Sequence, residues 1–150
     1  MKNVYDPSVN QEIKDRVNAI DANTTPQWGK MNAAQMIAHC NVAYEMCYED
    51  NHKKPNGFMK FIMKIMIKPI VIGDKPFKKN SRTAPQFLVE DERVFETEKS
   101  RLFAYLDKTT ELGASHFEGK ESHSFGALTA DEWNVMFYKH LNHHLEQFGV

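Results

Sequence analysis

Val9, Ile13, Val17 and Ile20 recur at helical spacing, predicting a short amphipathic helix over about residues 8–21. Asp6 or Ser8 can cap it, and Pro7 stands near its start. Asp21 to Lys30 is a loop punctuated by Pro26 and Gly29. Asn32 with Gln35 three residues on makes a capping box for a second helix. Its apolar stripe is Ala33, Met36, Ile37, Cys40, Ala43, Tyr44 and Cys47, and it fades at Glu49-Asp50-Asn51.

Lys53 to Gly57 is a break. Phe58 to Lys68 then predicts a helix that is apolar nearly all round except for Lys60, Lys64 and Lys68, with Pro69 as its end. Gly73 to Pro85 reads as a connection, and Asp91 to Lys108 as a helix with Val94, Phe95, Leu102, Tyr105 and Leu106 inward. Thr109 to Leu128 is polar and glycine-bearing, which predicts an irregular connection. The last helix has the strongest pattern. Thr129 and Glu132 form a capping box, followed by Trp133, Met136, Phe137, Leu141, Leu145 and Phe148. With no run of period-two alternation, the expectation is an all-α domain over 1–150. Four principal helices and one shorter extra helix would form an antiparallel bundle, with a long crossover after the second helix.

Composition narrows the function classes. Hydrophobic residues at 41% and charged residues at 26% are those of a globular chain, and 150 residues can bury a core without a staple. A net charge of -1 offers no field for a polyanion, so nucleic acid is not an expected partner. Cys40 and Cys47 share a helix and lie about 10 Å apart by helical rise, beyond disulfide reach. No apolar run approaches the roughly 20 residues of a membrane span, and residues 1–7 contain no apolar signal region. The reading is a reduced, cytoplasmic protein.

The chemistry lies in the histidines. With His140 at zero on the last helical wheel, His144 falls near 40°, Trp133 near 20° and Phe137 near 60°. Both imidazoles therefore share the inward stripe, where an i, i+4 pair can direct two nitrogens at one ion. His39, on the shoulder of the second helix's apolar face, is the best third ligand. Three histidines leave coordination positions open, which is the pattern of a catalytic centre, and neutral imidazole suits Zn²⁺ or Ni²⁺. The competing reading is a set of core histidines satisfied by hydrogen bonds.

The segments W-G-K-M-N-A-A-Q-M-I-A-H at 28–39, H-S-F-G-A-L-T-A-D-E-W at 123–133 and K-H-L-N-H-H-L-E-Q-F-G at 139–149 resemble the DinB-like superfamily with its YfiT-type metalloenzymes. Within it, they resemble an uncharacterised subgroup of short bacterial proteins. The resemblance implies a four-helix bundle with a long crossover after the second helix. It also implies a metal held by His39, His140 and His144. Its characterised members include thiol S-transferases using low-molecular-weight thiols such as bacillithiol, and a mycothiol-dependent maleylpyruvate isomerase. A small-molecule substrate and a thiol co-substrate are implied, with transferase or hydrolase-like chemistry.

His143 and Gln147 stand beside these ligands, and either could orient an imidazole or meet substrate. His123 could sit over the site as a proton donor. His143 and His123 are thus the candidate catalytic residues, each with a plain structural alternative. Trp28 is expected to pack on the second helix. The Phe58–Lys68 helix could lie on a membrane, line a substrate mouth or cover one end of the bundle; its narrow polar face favours burial by protein, including a homodimer partner. Two functions follow: a metal-dependent enzyme, or a non-enzymatic binding or assembly module with a vestigial metal site.

Overall fold

Local capping chemistry starts the helices where the sequence places them. In the computed structural model, which describes all of residues 1–150, α1 spans Pro7–Asn18. The Asp6 carboxylate accepts the Ser8 amide at 2.8 Å, and Pro7 costs nothing at a first-turn position whose N–H is free anyway. Helix α2, Ala33–Tyr48, opens on the expected box: Asn32 accepts from the Gln35 amide at 2.9 Å, and Gln35 accepts from the Asn32 amide at 3.1 Å. Its burial is wider than one stripe, running without a break from Met36 to Tyr44. The helix is therefore central rather than peripheral.

The crossover differs from expectation. Helix α3, Gly57–Ile62, passes through a π-helical turn, Met63–Ile67, into α4, Lys68–Ile72. Pro69 does not end the helix. A proline inside a helix lacks a donor and crowds the preceding turn, and the widened π turn absorbs both defects. The helix stops at Gly73, whose amide donates to the Pro69 carbonyl at 3.1 Å. Nor does the chain bury this segment: Phe58, Phe61, Ile65, Met66 and Ile70 are each at least 57% exposed. A single 3₁₀ turn, Pro85–Phe87, follows before α5.

Helix α5, Phe95–Phe117, overruns the predicted end by nine residues, with a non-helical residue at Gly113 (φ 69°, ψ 171°). Only glycine takes that conformation at no steric cost, so the helix is resumed rather than ended there. Thr109 and Thr110 donate back to the Tyr105 and Leu106 carbonyls, a pattern compatible with helix despite their polarity. Val94, expected to face inward, precedes the first turn and is exposed. The rest of the supposed irregular connection is a hairpin of β1, Lys120–Ser122, and β2, Gly126–Leu128, pairing Lys120 with Leu128 and Ser122 with Gly126. The Ser122 hydroxyl closes its turn, accepting the Phe125 amide and donating to the Gly126 carbonyl. Strands of three residues are too short for alternation to register.

Helix α6, Ala130–Gln147, starts on the Thr129/Glu132 box. The fold is thus mostly helical, with α1, α2, α5 and α6 around a core cluster of 21 buried residues. At its centre Tyr44 of α2 stacks on Phe137 of α6, ring centroids 4.6 Å apart and planes within 3°. Phe117 meets Trp133 and Phe137 beside them. That stack sets the relative placement of the two helices. Five residues back along α2 and three residues on along α6 are His39 and His140, so the helices run antiparallel and the histidines face each other.

Candidate metal centre

His39, His140 and His144 converge as the spacing predicts. Their ligand atoms lie within 4.8 Å of one another, and the ring centroids are 4.5 to 4.9 Å apart. His39 and His144 are buried, while His140 keeps part of its surface open. The three can hold a metal ion. Neither cysteine joins them: the buried Cys40 thiol lies 3.8 Å from the Met36 sulfur, and Cys47 lines a different cleft.

Hydrogen bonds decide which nitrogens face the centre. His39 Nδ1 donates to the Phe87 carbonyl at 2.7 Å, and His144 Nδ1 donates to Gln147 Oε1 at 2.7 Å. A ring nitrogen bonded to a carbonyl must carry the proton, so each Nε2 presents a lone pair. His140 Nε2 sits 2.9 Å from His39 Nε2. Since His39 Nε2 is an acceptor, His140 Nε2 is the donor, and this proton would have to move to Nδ1 for that nitrogen to hold an ion. Gln147 is itself fixed, its Nε2 donating to the Trp28 carbonyl at 2.6 Å.

Electrostatics favours neutral rings. Burial pushes all three imidazoles below the ordinary histidine value, His144 to about 3. Each neighbouring ring would repel a second positive charge, which depresses His140 and His144 further. The cluster therefore offers three uncharged imidazoles at neutral pH. With no carboxylate in the set, a divalent ion would keep its positive charge and attract an anionic ligand. The donor set fits Zn²⁺ or Ni²⁺.

His143 lies on the same helix with its ring 5.1 Å from that of His144. It lines a cleft of about 320 Å³ with Trp28, Phe77, Lys79 and Tyr138. Its ring is within 5.9 Å of Trp28 and 5.6 Å of Phe77. Trp28 thus faces His143 and the Lys79 ammonium, 4.0 Å from its ring centroid. Trp28, half-buried, forms part of the cleft wall. His123 stands in the turn of the hairpin, hydrogen-bonded through Nδ1 to the Ser124 hydroxyl at 2.8 Å and near the His52 carbonyl at 3.4 Å. It lines a separate cleft of about 450 Å³ that includes none of the three imidazoles.

The orienting group sequence reasoning missed is Phe87. A backbone carbonyl has no residue signature, and it reaches His39 only because the 3₁₀ turn brings the crossover back onto α2. Phe77 and Lys79 were likewise hidden in what reads as a plain connection.

The profile of a family described as a protein of unknown function (DUF1569) matches residues 8–149. No curated protein matches the chain, and no solved structure does.

Proposed function

The chain belongs to the DUF1569 family, and we propose that it is a metal-dependent enzyme built on a DinB-like four-helix bundle domain over 1–150. His39, His140 and His144 hold one divalent ion, Zn²⁺ or Ni²⁺, and the reaction is transfer of a low-molecular-weight thiol to a small electrophile. The observation that carries this is the convergence of three imidazoles, two of them held by carbonyl groups on their Nδ1 side. Metal-ligating histidines regularly donate their other ring N–H to such a carbonyl.

Bound there, the ion would lower the pKa of a thiol or water nucleophile. The protein's own groups do the rest. Phe87 and Gln147 hold the rings against rotation. Trp28, Phe77 and His143 offer flat faces to an apolar electrophile, and Lys79 a positive charge to an anionic substituent. In the transfer the thiolate sulfur bonds to the electrophilic carbon, the leaving group departs with its electron pair, and the thiol proton passes to solvent.

A second reading, a non-enzymatic helical module with a vestigial site, draws on one observation. The Phe87 ring lies 5.5 Å from His39 and 5.7 Å from His140, and none of the three rings lines either cleft. Metal analysis of the purified protein, then thiol-transfer assays with a panel of electrophiles, separates the two. One equivalent of metal with turnover lost in His144→Ala supports the enzyme. Metal-free protein that takes up none from micromolar Zn²⁺ or Ni²⁺ refutes it.

A further inference from the structure

The even charge balance of the chain conceals a strong asymmetry. Residues 53–82 carry nine of the 19 basic residues and one of the 20 acidic ones, a net charge of +8 on 30 residues, while the remainder stands at −9. The same stretch holds the largest set of exposed apolar side chains. Phe58, Phe61 and Ile65 follow i, i+3, i+7 spacing, with Met66 and Ile70 further on, and all five are at least 57% exposed. Exposed aromatic and aliphatic residues grouped in this way mark an interaction surface.

We propose that the helical segment from Gly57 to Ile72 is a peripheral membrane anchor that lies on an anionic bilayer. Its apolar side chains enter the headgroup–acyl boundary, and exposed lysines such as Lys64, Lys75 and Lys78 meet the lipid phosphates. No helix of the protein is long and apolar enough to cross a membrane, so the segment lies on the surface and does not span it. Charge selects this occupant over a second copy of the chain. A two-fold dimer through this face would set one strongly basic stretch against another. The five exposed apolar side chains, in turn, have nothing to bury against on a nucleic acid backbone.

The anchor is fastened to the metal-site helix. Lys139 of α6 is almost wholly buried and donates to the Ile70 and Gly73 carbonyls, both at 2.7 Å. Lys68 pairs with Glu132 of α6 at 2.9 Å. These contacts hold α4 on the helix that carries His140 and His144. The short link 73–76 then leads to Phe77 and Lys79 in the cleft beside His143. The seat on lipid does not depend on the metal or on the reaction.

Co-sedimentation with phosphatidylcholine vesicles, with and without about 30 mol% phosphatidylglycerol, tests this directly. The protein should bind the anionic vesicles, bind the neutral ones at least ~10-fold more weakly, and lose affinity as salt is raised. Phe58→Ser/Phe61→Ser/Ile65→Ser should weaken binding by ~10-fold or more, because these side chains supply the buried apolar area. Lys64→Glu/Lys78→Glu should do the same and is independent of helix packing, since both side chains are exposed. Circular dichroism melts should match the parent in both. Absence of binding to anionic vesicles at low salt, or parent-like binding by either variant, overturns the proposal. So does a solution dimer that the triple variant dissociates, which assigns the face to a second copy.

Discussion

Gln147 holds His144: its Oε1 accepts the Nδ1 proton at 2.7 Å while its Nε2 donates to the Trp28 carbonyl at 2.6 Å. One amide thereby ties the last turn of α6 to the loop before α2 and fixes the tautomer of His144. Gly29 takes part sterically. A Cβ there would lie 2.4 Å from Gln147 Nε2, and its φ of +85° already disfavours any side chain.

Gln147→Leu should therefore weaken metal affinity by ~10–100-fold while His144 remains in place. Gly29→Ala should act in the same direction by displacing the amide. Competition titration with a Zn²⁺ indicator reads both. Parent-like affinity in Gln147→Leu would mean the hydrogen bond does not orient the ligand.

His143 and His144 are adjacent but differently placed, one on a cleft wall and one among the three converging rings. His144→Ala should abolish stoichiometric binding, and His39→Ala should weaken it by a comparable margin. His143→Ala should leave metal content near the parent value and change only what the cleft binds. Inductively coupled plasma analysis of the variants decides this, and equal metal losses for His143 and His144 would show that the wrong pair had been assigned.

Short-range signals were legible in the chain: the Asp6, Asn32 and Thr129 caps, and the inward placement of the i, i+4 pair on α6. Each depends on residues within one or two helical turns. The missed features depend on contacts over longer distances. Residues 109–128 read as a connection because they are polar and glycine-bearing, whereas in the folded chain Gly113 absorbs a positive φ and Phe117 packs on Trp133, which rewards continuing the helix. Pro69 reads as a stop, because a π turn leaves no mark in the residue pattern. Likewise, His39 is legible as a ligand, but the carbonyl that orients it lies 48 residues away in a turn with no periodicity.

The buried imidazoles predict a specific pH response. Histidines held neutral in the fold but titrating normally in the unfolded chain make unfolding take up protons as pH falls below about 6.5. The stability of the metal-free protein should therefore decline progressively from there towards the folded-state value of about 3 at His144. Because His39, His140 and His144 are all lowered, protons should begin to displace metal only well below pH 6.5, instead of near the free-histidine value. Urea denaturation and metal titration across pH 7.5 to 4.5 test the two halves. Affinity that halves near pH 6.5 would show that the rings titrate as if exposed.

Fold and metal should be separable. The core cluster of 21 residues, with the Tyr44–Phe137 stack at its centre, does not include the three histidines. Burial of that apolar surface, at roughly 25 cal/mol per Å², should support a chain of this size unaided. Metal-free protein should accordingly remain helical and melt cooperatively. Added metal should raise the melting temperature by mass action, contributing about 2.7 kcal/mol when free metal is 100 times its Kd. In His140→Ala/His144→Ala, two neutral rings are removed and no charge is left unpaired, so that variant should fold and show no metal-dependent shift. Circular dichroism melts with and without chelator are the measurement. Cooperative unfolding on chelation alone would make the ion a structural element and remove the main physical support for catalysis.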